Sequence, residues 1–228
     1  MLGDALSYLK NSDDWIPTLV IGGVLSVLSA LILPAFILQG YYVRVLRGAA
    51  KEERAAPSFT DWGGLAVDGI KLFLINIVFA LVVLIPTLVV LFAVFGVSSV
   101  TTDPTTGAPN AAAGIVGLLA TLLVVAFGLI VGYFAPAAYA NFAIEDSLGA
   151  AFDLSTVLSG AATSEYFKGW LLAIVAGVVL GLVGAALSVV VVGIFVLFYA
   201  QVVTYYLFGR GFAAGLAKKR RDVAESNF

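Results

Sequence analysis

The 228-residue chain is 61% apolar and 11% charged, has 12 Lys and Arg against 14 Asp and Glu (net charge −2), and contains neither cysteine nor histidine. Soluble domains carry roughly 25% charged residues, so a water-soluble globule is excluded. Disulfides, thiolate or imidazole catalysis and Cys/His metal sites go with it, and nucleic acid is not an expected partner.

Four stretches lack any Asp, Glu, Lys or Arg: Ile16–Val43, Leu72–Thr102, Pro104–Ile144 and Trp170–Gly209. Each exceeds the ~20 residues an α-helix needs to cross ~30 Å of hydrocarbon. A membrane β-barrel needs short strands of alternating polarity, whereas these runs are apolar all round. The expected class is an all-α integral membrane protein, one transmembrane domain over residues 1–228. Five or six membrane segments in hairpin-like repeats are expected, with amphipathic helices at the interface.

In chain order, Met1–Lys10 spaces Leu2, Leu6 and Leu9 as on a helix, so residues 1–15 are read as an N-terminal helix on the membrane surface. With Asp4 and no basic stretch before an apolar core, this segment does not read as a cleavable signal. Asn11-Ser-Asp-Asp14 offers an N-cap ahead of Trp15 and Pro17, a first-turn proline that loses no helical hydrogen bond. As one helix Ile16–Val43 would be about 42 Å long at ~1.5 Å per residue. Two forms fit it: a tilted span kinked at Pro34, or a shallow hairpin turning near Leu33-Pro34.

Residues 44–71 form a basic connection with Arg44, Arg47, Lys51 and Arg54, in which Thr60 or Asp61 caps a second interfacial helix. Leu72–Val97 then reads as a span bent near Pro86, and residues 99–113 as a polar extracytoplasmic loop. Ile115–Ala138 spans back. Residues 145–168 are a cytoplasmic linker holding the amphipathic Leu148–Ser159. Trp170–Leu187 and Ile194–Phe208 make a closing hairpin around Ser188–Gly193, and residues 212–228 a basic tail with Lys218, Lys219, Arg220 and Arg221.

The units repeat weakly. Asp14-Trp15, Asp61-Trp62 and Glu165…Trp170 each precede an apolar run, and Gln39…Gly48, Asn141…Gly149 and Gln201…Gly211 each close one. If the first segment is a hairpin, all 12 Lys and Arg fall on one side; if it is one span, only Lys10 lies opposite. The positive-inside rule puts the C-terminus in the cytoplasm either way, in a multi-pass protein of the cell membrane.

The residues Asp14-Trp15…Ile21-Gly-Gly23…Pro34…Gly40-Tyr-Tyr-Val-Arg-Val-Leu-Arg47, Phe59-Thr-Asp-Trp-Gly-Gly-Leu-Ala-Val-Asp-Gly-Ile-Lys71, Pro136-Ala…Ala140-Asn-Phe…Leu148-Gly-Ala-Ala-Phe-Asp153 and Tyr206-Leu-Phe-Gly-Arg-Gly211 resemble an uncharacterised archaeal family of polytopic membrane proteins, a domain of unknown function. More distantly the chain is similar to the membrane portion of glycerophosphodiester phosphodiesterases, without their soluble catalytic barrel. The resemblance implies a fold and an archaeal host, and brings no catalytic or binding residue.

Gln39, Asn76, Asn141 and Gln201 are the amides near the apolar runs. Unpaired in hydrocarbon each would cost a few kcal/mol, so they face other helices or together make an intramembrane polar site. Gly128-xxx-Gly132 and Gly177-xxx-Gly181 offer small-residue faces for packing within the chain or between copies. Arg44, Arg47, Lys71 and Arg210 are the candidate contacts to lipid headgroups, anionic ones included. The carboxylate pairs Asp13/Asp14, Glu52/Glu53 and Glu145/Asp146 sit at segment ends, where capping and solvation account for them. No catalytic residue, metal site or cofactor is expected, and no enzymatic activity. The expected role is a lipid-organising scaffold or an accessory subunit of a membrane complex, with homo-oligomerisation open. The alternative is a transporter or channel for a neutral or lipid-like small molecule.

Overall fold

The computed structural model describes residues 1–101 and 111–226, with side-chain surroundings for 1–96 and 114–225. Among these the regular structure is entirely helical: α1 (Leu2–Tyr8), α2 (Trp15–Val27), α3 (Ile32–Ala50), α4 (Trp62–Thr101), α5 (Ala111–Glu145), α6 (Leu154–Ala161), α7 (Ser164–Leu187) and α8 (Val192–Ser226). Short 3-10 turns occupy Leu28–Ala30, Leu148–Phe152 and Ser188–Val190. Four stretches, Trp62–Gly96, Gly114–Glu145, Ser164–Val190 and Val192–Glu225, are long and apolar enough to cross a membrane, and Trp15–Ala30 is a shorter apolar helix.

The long first apolar segment breaks after the 3-10 turn, at the extended Leu31. Pro34 lies in the first turn of α3, where a missing N–H costs nothing, so the proline marks a helix start and the turn comes before it. The entry to α2 and the exit from α3 meet. Ala56 N–H donates to the Tyr8 carbonyl (3.0 Å), Asn11 Nδ2 to the Arg54 carbonyl (2.9 Å) and Ser58 Oγ to Asp14 Oδ2 (3.2 Å). Asp14 therefore serves as a latch between connections, and its side chain gives α2 no cap bond. The closing pair α7–α8 turns by the same device, a 3-10 turn at Ser188–Val190 ahead of Val191.

Three expected boundaries move. No separate interfacial helix precedes the second span, because α4 runs unbroken from Trp62; no proline or loop residue stands between the polar face and the apolar run. Pro86 lies within it. The basic tail is likewise a continuation of α8 as far as Ser226. Leu148–Ser159 divides into a 3-10 turn and α6, whose start Asp153 fixes by accepting from the N–H groups of Ser155 and Thr156. The expected loop 99–113 falls mostly outside the described residues.

The chain forms two compact units, Met1–Ile75 with Pro136–Phe228, and Asn76–Ala135. The smaller unit pairs antiparallel lengths of α4 and α5, with Thr87 and Thr121 hydroxyls bonded back to the carbonyls of Val83 and Gly117. In the larger unit α2, α3, α6 and α7 all pack on α8. Aromatic side chains fill its centre: Tyr41 stacks on Phe59 (centroids 4.2 Å), Tyr42 on Tyr205 (4.7 Å), and Tyr8 leans on Tyr206 (4.5 Å). Leu171, Val175, Val178 and Leu182, along one side of α7, are exposed. Apolar residues on the outside as well as the inside suit helices whose solvent is lipid.

Close backbone approach carries the α3–α4 crossing. A Cβ on Gly40 would strike the Leu65 carbonyl oxygen, and one on Gly69 the Phe36 carbonyl oxygen. By contrast a Cβ on Gly128 or Gly132 would meet nothing within 4 Å, so the glycines that spacing singles out are not the ones at this crossing. Gly40→Ala should lower the stability of the detergent-solubilised chain by about 2 kcal/mol, the usual cost of overpacking. Gly128→Ala should leave it unchanged or slightly raised, since alanine favours the helix. Thermal unfolding of the two variants side by side checks this.

Candidate functional site

Charged residues are absent from the apolar runs and crowd the junctions between them, and the fold brings junctions of the larger unit together. Arg47, in the last turn of α3, donates from Nε to the Ala143 carbonyl of α5 (2.9 Å). Its two terminal nitrogens reach Asp68 Oδ2 of α4 (3.4 Å) and Asp146 Oδ1 just past α5 (3.3 Å). Lys71 Nζ stands 3.1 Å from the same Asp146 oxygen and 3.9 Å from Asp68. One guanidinium thus uses its planar fork on three acceptors in two separate stretches of chain, a task that suits arginine better than a single ammonium.

The other junctions are tied in the same manner. Arg44 bonds the carbonyls of Thr60 and Asp61 and the Asp61 carboxylate, while Asp61 Oδ1 accepts the Gly64 N–H and caps α4 (3.2 Å). Arg210 of α8 pairs with Glu52. Hydrogen bonding from Arg210, and then its charge, hold the Glu52 carboxyl below the usual carboxylate range, so this tie persists at neutral pH and is released only in acid. Lys218 joins Glu165 (3.2 Å) and Ser164 (3.1 Å), linking α8 to the start of α7.

Among the described residues four non-glycine residues have positive φ: Glu52 (62°), Asp61 (50°), Asp146 (49°) and Val191 (64°). Three of these are carboxylates that answer an Arg or Lys at a junction. The left-handed conformation is uncommon for L residues, though Asp tolerates it better than most. At Glu52 and Asp146 it closes the helix just ended and leaves the carboxylate beside its base, a cap and an ion pair in one residue.

Arg44, Arg47, Lys71 and Arg210, read from sequence as headgroup contacts, therefore all hold carboxylates of the chain itself. The sequence reading missed those partners, assigning Glu52 and Asp146 to capping and solvation. The available signal was that every acid except Asp103 lies in the same connections as the bases.

Three of the four amides, Gln39, Asn141 and Gln201, lie in the larger unit. Asn141, buried, donates from Nδ2 to the Ala150 carbonyl (2.8 Å), and its Oδ1 is buried without a partner among the described residues. Gln39 Oε1 is likewise buried and unpartnered. Asn76 belongs to the smaller unit. Gln201 is exposed and lines a groove of about 290 Å³ with Ser26, Tyr42 and Thr204. Of the four amides, it is the one that lines this groove.

Arg47 and Asp68 have side chains 25% and 12% exposed. Arg47→Gln leaves Asp68 with Lys71 as its only charge partner among the described residues, and should destabilise the chain by about 2 kcal/mol, below the full cost of breaking a wholly buried pair. Arg47→Lys should recover less than half of that loss, because one ammonium cannot reach all three acceptors. Denaturation midpoints of the three proteins in one detergent test both expectations.

A family model described as "Protein of unknown function (DUF4013)" matches residues 25–189. The match takes in the whole Arg47–Asp68–Lys71–Asp146 network and ends in the turn before α8. No curated protein and no solved structure matches the chain.

Proposed function

The chain belongs to the DUF4013 family, whose function is unknown, and within it we propose a non-catalytic, multi-pass protein of the cell membrane, a scaffold that organises lipid or accompanies a larger membrane complex. The observation that carries this reading is the use of charge at the junctions. Arg44, Arg47, Lys71 and Arg210 are each matched to a carboxylate, an arrangement that ties helix ends together and leaves none of these groups poised over a substrate. The proposed topology has six segments: α2 and α3 as a shallow pair, then α4, α5, α7 and α8. Both described ends then lie in the cytoplasm, and all 12 Lys and Arg share that side. An archaeal source and a distant kinship with the membrane portion of glycerophosphodiester phosphodiesterases rest on the sequence motifs alone.

Movement of a neutral or lipid-like molecule is the rival reading, and the Gln201 groove favours it. Against it, Asn141 is buried and Gln39 half-buried while Gln201 is exposed, and coupled carriers usually place ionisable groups along the path.

The chain has no cysteine, so single-cysteine variants report topology cleanly. Lys10→Cys, Ser147→Cys and Ala224→Cys should react with a membrane-impermeant maleimide only from the cytoplasmic face of sealed vesicles, and Thr105→Cys only from the opposite face. Labelling of Lys10→Cys from outside would make α2–α3 a single crossing and overturn the six-segment form.

A further inference from the structure

Lys51 and Arg220 are cations that the junction ties leave over; neither has a carboxylate at ion-pair distance among the described residues, and both are exposed. With Arg47 they rim a groove of about 230 Å³. Its floor is apolar: Ile144 from the end of α5, and Ala213, Leu216 and Ala217 from α8. On α8 the residues 213, 216, 217 and 220 fall at i, i+3, i+4 and i+7, so one helix face supplies both the floor and a charged rim. Lys51 follows directly on the C-terminus of α3. Among the described residues no carboxylate lines the groove, although acids outnumber bases in the chain as a whole.

A hydrocarbon floor beneath a cationic rim matches an amphiphile with an anionic head. We infer that this groove holds the phosphate headgroup of an acidic phospholipid, with the first methylenes of the lipid against Ile144 and Leu216. The inference rests on the membrane reading proposed above, which sets this end of α3, α5 and α8 at the cytoplasmic interface. It also relocates the lipid contact. Arg44, Lys71 and Arg210 are spent on internal pairs, and Arg47 is shared with two carboxylates, so the selective charge falls to Lys51 and Arg220. Arginine offers a phosphate two parallel N–H bonds, and each basic residue near an anionic membrane surface strengthens binding about fivefold.

The test uses the full chain in detergent micelles containing equal phosphatidylglycerol and phosphatidylcholine, with bound lipid read by native mass spectrometry. Unmodified chain should retain one phosphatidylglycerol in preference to phosphatidylcholine. Lys51→Gln/Arg220→Gln should retain it roughly thirtyfold more weakly. Lys219→Gln/Arg221→Gln, which removes equal charge from outside the groove, should behave as the unmodified chain. All four positions are exposed, and matching unfolding temperatures will show that each variant is folded. Equal loss in both double variants, or equal retention of the two lipids, overturns the inference. Displacement of the lipid by millimolar inorganic phosphate also overturns it, because the groove then recognises a free anion and the apolar floor is irrelevant. A chain that still carries phosphatidylcholine but shows no selectivity sinks the groove and leaves the membrane reading standing. A chain that holds neither lipid and stays dispersed after detergent removal sinks the membrane reading itself.

Discussion

Arg47 is the residue on which the arrangement of the larger unit depends. Its side chain meets the carbonyl of Ala143 and the carboxylates of Asp68 and Asp146, and so joins the end of α3 to the start of α4 and the end of α5. In the membrane setting proposed above, helices gain little from hiding apolar faces from one another, since the lipid tails are equally apolar. What remains is shape and polar bonding. Shape is supplied where α3 crosses α4, with Gly40 against Leu65 and Gly69 against Phe36. Polar bonding is concentrated at the junctions, where the side chains of Glu52, Asp61 and Asp146 are exposed.

The junctions share a construction. A helix ends or begins at an acidic residue in the left-handed conformation, at Glu52, Asp61 and Asp146, and a base from another stretch closes on that carboxylate. The strain is modest for Asp and somewhat larger for Glu. The return is that one residue turns the chain and fixes the direction in which it leaves. The N-terminal segment is held by the same logic in weaker form, through hydrogen bonds from Ala56, Asn11 and Ser58. Cations beyond those the ties require are left facing outward, and two of them flank an apolar floor.

The helical class was legible because it rests on composition: four runs without a charge admit few other structures. Helix limits were less so. Nothing in Trp62–Lys71 interrupts a helix, and the change from polar to apolar face that suggested two elements is a change of surroundings along one rod. Pro34 drew attention to the wrong residue of the first turn, since proline is equally at home just inside a helix start. The bases of the candidate site stood out in the sequence, but their partners did not. Arg47 and Asp146 are 99 residues apart and Arg44 and Asp61 17, and neither spacing is one that helix periodicity can pair. The small-residue spacing also pointed away from the α3–α4 crossing, whose glycines belong to no such repeat because the opposing surface is a carbonyl of a neighbouring helix.

If Arg47 binds three stretches into one cooperative unit, its loss must loosen all three at once. Hydrogen–deuterium exchange of the full chain in lipid nanodiscs measures this directly, by following amides in 44–50, 64–70 and 140–146. The account predicts that Arg47→Gln speeds exchange in all three by a common factor while the midsection of α7 stays protected. Faster exchange confined to 44–50, with the other two stretches unmoved, would contradict it.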